Sequence, residues 1–299
     1  MTTALLNVSH RNCNDGVLSS AIVYNYCQRK DIDKEFHHYP MNYGDDIEKL
    51  LKSIYRLQHI HQLVEVVFTD FSLPTNELKR VADLADSTLV LDHHASAQEA
   101  LSELQGQYPY LHILFDMTKS GCEMTWNYYN DNTPTPNLIK WVGDRDLWKF
   151  QYPETKPITS VIREKGMDLE QWVKYLNEPE LIGKLLTKGK VINDFTTNQH
   201  LIEANKLVKI WKEQGDIYKP IFTNLTYGIS EILNNIVIHK DYPFKIAVSF
   251  RMQQNKALCS VRSVDDESAQ HYAEVRKGGG HPNAAGFEMS LSELEPNIN

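Results

Sequence analysis

Short apolar runs that stop at polar residues alternate with amphipathic stretches through the first half of the chain. Ala4 to Ser9 (ALLNVS) is the first run, and it stops at His10. A turn-like RNCNDG follows, and from Val17 to Arg29 the spacing of Leu18, Ile22 and Tyr26 predicts a helix. Phe36 to Tyr39 reads as a second short strand, MNYGDD as a loop and Ile47 to His59 as a helix. Val64 to Phe68 is rich in β-branched residues and ends at Thr69, Asp70 and Phe71. Pro74 opens a helix through Ala85, since proline is tolerated in a first turn. Thr88 to His94 (TLVLDHH) is then a buried strand that ends in an acid and two imidazoles. Ala97 to Gln105 reads as a helix, Leu111 to Phe115 as a strand, and Lys119 to Asn130 as a helix with Ser120 as N-cap.

Strand and helix in alternation imply a parallel sheet with right-handed crossovers. Parallel strands deliver their C-terminal ends to one edge, where open α/β sheets bind ligands. Residues far apart in sequence, such as His10, Asp70 and Asp92, can therefore converge there.

After the NTPTP loop, Leu138 to Gly143 runs into DRDLW, and this is read as a fourth polar strand exit. Residues 168–211 are helix-rich. Beyond Lys219 the pattern changes: Phe244 to Met252 alternates, Lys256 to Ser263 pairs with it across QQN, and a helix spans Glu267 to Val275. The expected fold class is α/β, with a mainly parallel N-terminal domain flanked by helices (1–185), a helical linker (186–219) and a smaller C-terminal α/β domain (220–299).

A length of 299 residues with 41% hydrophobic content suffices for two buried cores. The net charge of -8 argues against a long-duplex nucleic-acid partner, which calls for a basic face, but leaves short nucleotides open. The four cysteines are widely spaced, without CxxC. MTTALLNVSH has neither the basic nor the long apolar region of a leader, and no run of eighteen apolar residues occurs. A soluble cytoplasmic protein without a membrane partner is the expectation.

Four exits carry candidate ligands: His10 with Asp15, Asp70, Asp92 with His93 and His94, and Asp144 with Asp146. Carboxylates and imidazoles without thiolate pairs suit Mn²⁺ or Mg²⁺ better than structural zinc. Each acid also has an ordinary alternative: an Asx-turn for Asp15, a helix cap for Asp70, a solvated turn with Arg145 for Asp144 and Asp146. Gly278, Gly279 and Gly280 allow a close backbone approach to an anion, or simply a flexible turn. His281 and the small Ala284, Ala285 and Gly286 after them suit a tightly packed helix or turn. Trp126, Tyr128, Tyr129, Trp141 and Trp148 lie near these motifs, with core packing favoured over base stacking.

HRNCNDG, FTDFS, VLDHHASAQE, GDRDLW and GGGHPNAAG, in that order and spacing, resemble the motifs of the DHH phosphoesterase superfamily, in the branch that carries a DHHA1 domain. The resemblance covers nearly the whole chain and includes nano-RNase (oligoribonuclease) types. It implies two Mn²⁺ ions held by His10, Asp15, Asp70, His93 and Asp144, with Asp70 bridging; Mg²⁺ is the other candidate ion. It further implies that Asp92 orients His93 and that His94 lies by the phosphate. Arg262 and His281, with the glycines, would bind substrate phosphate or sugar. The implied reaction is hydrolysis of phosphodiester or phosphomonoester bonds in short oligoribonucleotides or small nucleotides, through a metal-bridged hydroxide. An inorganic pyrophosphatase and a non-catalytic nucleotide-binding module are the alternatives, and a homodimer is one assembly open to the chain. The sequence departs from the family pattern at Cys13, where a second aspartate is common. A thiolate ligand, an oxygen from Asn12 or Asn14, and a buried structural thiol are alternative readings there.

Overall fold

β1 (Thr3–His10) is buried at all six positions from Ala4 to Ser9, so it must run inside a sheet that is covered on both faces. It lies between β2 (Lys34–Met41) and β3 (Leu63–Thr69), parallel to both. β4 (Ser87–Asp92) and β5 (Leu111–Phe115) complete an all-parallel sheet of order β2-β1-β3-β4-β5. The computed structural model describes residues 2–11, 13–29, 31–131, 133–162, 166, 168–214, 219–264 and 268–298.

Adjacent strand residues point to opposite faces, and the two cores follow that alternation. Leu6, Val8, Val66 and Phe68 pack under α2 (Ile47–Gln58), α3 (Thr75–Leu84) and α4 (Gln98–Leu104) through Leu50, Ile54, Leu78, Val81 and Leu101. On the other face, Leu5, Val67 and Leu89 meet Val23 of α1 (Asn14–Cys27). The outer side of α1 is covered in turn by α5 (Gly121–Tyr129), α6 (Asn137–Asp146), α7 (Thr155–Ile162) and α8 (Leu169–Asn177), so α1 is buried nearly all round. Trp126, Trp141 and Trp172 belong to this second layer of core.

The chain divides into two compact units, Met1–Ile192 and Asn193–Asn299. The helix α9 (Pro179–Glu213) includes most of the expected linker, of which residues 215–218 lie outside the described residues. The second unit holds β6 (Phe222–Asn224), α10 (Ile229–Val237), β7 (Ile246–Gln253), β8 (Lys256–Ser263), α11 (Ser268–Glu274), β9 (Gly279–His281), β10 (Ala284–Ser290) and α12 (Leu291–Ile298). Its sheet has the order β6-β7-β8-β10-β9 and is antiparallel except for the β6–β7 pair. Glu267, the expected start of α11, lies outside the described residues.

Two expectations are corrected. Residues 138–146 form α6, not a strand: Leu138, Ile139 and Val142 recur at helical spacing and are buried against α1 and its neighbours. Ala284, Ala285 and Gly286 belong to strand β10 rather than to a helix or turn. No described helix is long and apolar enough to cross a membrane.

Candidate metal centre

β2 and β3 flank β1 on opposite sides, so the chain's crossovers change direction next to the C-terminal ends of β1 and β3. Such a switch point opens a crevice in doubly wound sheets. His10 ends β1, Asp15 sits in the first turn of α1, and Asp70 follows β3. Asp92 ends β4 and is followed by His93 and His94.

These side chains meet. His93 Nε2 lies 3.0 Å from Asp70 Oδ1, 3.5 Å from Asp146 Oδ2 and 3.8 Å from Asp15 Oδ2. His10 Nδ1 lies 3.9 Å from the other Asp70 oxygen. Three donor groups can be drawn, each with ligand atoms within 4.8 Å of one another: His10–Cys13–Asp70, Asp70–His93–His94, and Asp15–His93–Asp146. Asp70 stands in two of them, which is the placement a bridging carboxylate needs.

The backbone is shaped to bring these groups together. Asp70 has φ +53°, a left-handed conformation uncommon for a residue other than glycine, and such strain collects at functional sites. It does not cap the following helix, whose N-cap is Pro74. Gly121 opens α5 against it: a Cβ at Gly121 would lie 2.5 Å from Asp70 Cβ, so only glycine permits the approach. The Gly121 and Cys122 N–H groups donate to Asp15 at 2.6 and 3.0 Å, across more than a hundred residues. That long-range anchor replaces the Asx-turn reading of Asp15.

The third carboxylate in these donor groups is Asp146, where Asp144 was expected. Asp144 accepts the N–H groups of Gln151 and Tyr152 and the Thr155 hydroxyl, and so fixes the loop after α6. Asp146 Oδ2 has no hydrogen-bond partner among the described residues, and neither has Asp70 Oδ2. Burial, with repulsion from Asp15, raises the Asp70 carboxyl well above the usual range and pushes Asp146 up to about 6. Unpartnered carboxylate oxygens crowded with imidazole nitrogens fit a divalent cation, which would relieve both the repulsion and the lost hydration.

Asp92 holds the ring of His94, where it was expected to orient that of His93. Its Oδ1 accepts from the His94 ring at 2.7 Å, and also from the His93 backbone N–H at 2.8 Å. Burial alone would lower the His94 pKa, but the Asp92 hydrogen bond and charge outweigh it and raise the ring to about 9. Among the described residues His10 has no such partner, and burial followed by His94 lowers it to about 4. The His94 and His10 rings are 6.1 Å apart, with Tyr43 edge-on to both. Tyr43 lies in a loop whose sequence carries no pattern that would single it out.

Cys13 precedes α1, and its thiol makes no capping bond there. Burial, then Asp70 and Asp146, push the thiol well up. Asn12 lies outside the described residues, and Asn14 begins α1.

The remaining candidates lie in the second unit. Arg262 on β8 donates to the Val261 carbonyl and the Ser230 hydroxyl. Gly279, Gly280 and His281 form β9, opposite Gly286, Ala285 and Ala284. A Cβ at Gly278 would fall 2.1 Å from the Gly286 carbonyl oxygen, and one at Gly280, which has φ +145°, 2.6 Å from that of Ala284. Close strand approach therefore accounts for those two glycines before any ligand is considered.

No family model matches the chain. An uncharacterized protein of Acanthamoeba polyphaga mimivirus is 24% identical over 291 residues, 94% of this chain; the chain spans 66% of that protein's length. RecJ from Thermus thermophilus, crystallised in complex with Mn²⁺, superposes with a TM-score of 0.57 at 13% identity, over 98% of this chain and 50% of RecJ. Exonuclease RecJ bound to manganese gives 0.52 at 14% identity, covering 98% of this chain and 88% of that one. At such identities the likeness is one of fold, and that fold is the one RecJ brings to the DHH phosphoesterase superfamily, whose motifs this sequence resembles.

Proposed function

We propose that the chain is a metal-dependent phosphoesterase whose centre is built by the first unit. The observation that carries this reading is the convergence of His10, Asp15, Asp70, His93 and Asp146 at the switch point, with carboxylate oxygens of Asp70 and Asp146 left without hydrogen bonds among the described residues. His10, Cys13 and Asp70 would hold one cation; Asp15, His93 and Asp146, with Asp70 shared, would hold the other. Mn²⁺ is the preferred ion and Mg²⁺ the alternative, since the set is oxygen-rich with imidazole. When bound, the pair supplies positive charge that activates water and neutralises phosphate oxygens.

The protein's own groups do the rest. Asp92 holds His94 protonated, and the charged ring faces the same crevice as His10. There it can bind a phosphate oxygen and pass a proton to the leaving group. Arg262, His281 and the run Gly278 to Gly280 would bind substrate phosphate or sugar. The net charge of -8 favours short oligoribonucleotides and small nucleotides over long duplexes. The RecJ-like fold keeps exonucleolytic attack on a nucleic-acid end as a second reading.

Turnover of a panel under Mn²⁺ tests the proposal: diribonucleotides, 3′-phosphoadenosine 5′-phosphate, a single-stranded oligonucleotide and pyrophosphate. Hydrolysis of the nucleotides, lost on chelation and restored by Mn²⁺, is expected. Dominant pyrophosphate turnover would point to a pyrophosphatase, and full metal loading without any turnover to a binding module.

Asp92→Asn is expected to lower kcat/KM about 10–100-fold at neutral pH, the usual cost of removing the partner of an active-site imidazole. The pH profile carries the sign. A His94 that must be protonated acts up to its raised pKa of about 9, and without Asp92 its burial pulls that limit to lower pH. Bound cations lower the pKa in both proteins, so the readout is the displacement of the basic limb. An unmoved limb would separate His94 from proton transfer.

A further inference from the structure

At the opposite edge of the same sheet, Glu35 and His37 lie two apart on β2, on one face of the strand, beside His61 from the turn between α2 and β3. Glu35 pairs with Ala4, six positions along β1 from His10, which is roughly 20 Å at the strand rise. This cluster is thus separate from the centre described above.

His61 is the telling member. Its side chain is only 4% exposed, and neither ring nitrogen has a hydrogen-bond partner among the described residues. The same holds for His37 Nε2. A buried imidazole without partners is costly, and native structures rarely leave one unexplained. His61 is also held in place: its backbone N–H donates to the Leu57 carbonyl, and that of Gln62 to the Thr2 carbonyl.

Both imidazoles aim at one carboxylate. His37 Nε2 lies 3.2 Å from Glu35 Oε1, and His61 Nε2 lies 3.6 Å from Glu35 Oε2, neither with hydrogen-bond alignment. All three ligand atoms fall within 4.8 Å of one another. Ligands bonded at about 2.0–2.1 Å to a tetrahedral zinc stand about 3.3 Å apart, and the two measured separations bracket that figure. Glu35 is 62% exposed, so the remaining coordination position opens to water.

We infer that Glu35, His37 and His61 form a second metal site, for one borderline divalent cation of the zinc class. Two imidazoles and a carboxylate are donors suited to such an ion. Bound there, it ties edge strand β2 to the turn that leads into β3. The inference stands independently of the proposed phosphoesterase activity.

The test uses the full chain, stripped of metal and titrated with Zn²⁺ by equilibrium dialysis, with Co²⁺ absorption as the spectroscopic readout. Asp70→Asn, which disables the first centre, is expected to retain one Zn²⁺ equivalent and a Co²⁺ ligand-field band. Adding Glu35→Gln or His37→Gln to it should remove both, with the far-ultraviolet dichroism unchanged. In an otherwise wild-type chain, Glu35→Gln should leave Mn²⁺-supported turnover as it was. Failure of Asp70→Asn to take up any Zn²⁺ overturns the inference, as does an equivalent that survives both glutamine substitutions. Should one glutamine variant fail to fold, the other carries the test, and the Asp70→Asn titration stands alone.

Discussion

Asp70→Asn is expected to abolish hydrolysis of every substrate in the panel while leaving the metal-free protein at least as stable as the wild type. The carboxylate has one oxygen beside His93 and the other toward His10, so it faces both of the proposed cation positions. Losing the shared negative ligand removes several kcal/mol of charge stabilisation, and at about 1.36 kcal/mol per decade that is about a thousand-fold or more in rate. Asparagine keeps the shape and tolerates the left-handed backbone at this position. The stability half follows from the raised pKa of Asp70, caused by burial and then by Asp15. A carboxyl whose folded pKa lies above its unfolded value stabilises the fold below the ordinary carboxylate range, and that contribution is lost as pH rises. As pH rises the metal-free wild type therefore bears the cost of ionising a buried carboxyl, a cost the variant lacks. Thermal melts should show Mn²⁺ raising the Tm of the wild type and not that of Asp70→Asn. Near-normal turnover in the variant would sink the ligand assignment.

How far the sequence reveals this arrangement depends on the scale of the signal. The parallel sheet is readable because β1, β3 and β4 are apolar runs stopped by a polar residue, and the exits at His10, Asp70 and Asp92 share one edge. The short strands β6 and β9 leave weaker traces. β9 consists of Gly279, Gly280 and His281, which look like a turn until β10 is seen pairing with them. Side-chain pairing was less legible still. Whether Asp92 grips His93 or His94 depends on the chain's course after β4, and adjacent imidazoles carry no mark of it. Gly121 belongs to the site through a close approach to Asp70, a tertiary fact that the spacing of KSGCEM does not encode. Glu35 and His37 sit two apart on a strand in plain view, but their partner His61 arrives from another element.

The sharpest test of that difference is the pair Asp144→Ala and Asp146→Asn. Two residues apart on a strand, both carboxylates would point to one face, and either could serve as ligand. On α6 the same separation is a rotation of about 200°, so only one can face the centre. The structure gives that place to Asp146, 3.5 Å from His93, and turns Asp144 to the backbone of residues 151 and 152. Asp146→Asn should therefore lower turnover about a hundred-fold or more, at roughly 1.36 kcal/mol per decade, and reduce bound metal in a chain that melts no lower. Its pKa of about 6, raised by burial and by Asp15, again makes the ionised form a burden without metal, one that grows as pH rises through that value. Asp144→Ala should do the opposite. It strips two N–H groups and the Thr155 hydroxyl of their acceptor, at about 1–3 kcal/mol for each group left buried and unsatisfied, so the Tm falls. Metal bound per folded chain should hold. The reverse outcome, metal lost in Asp144→Ala and kept in Asp146→Asn, would return this ligand place to Asp144 and require α6 to turn in solution from the orientation described.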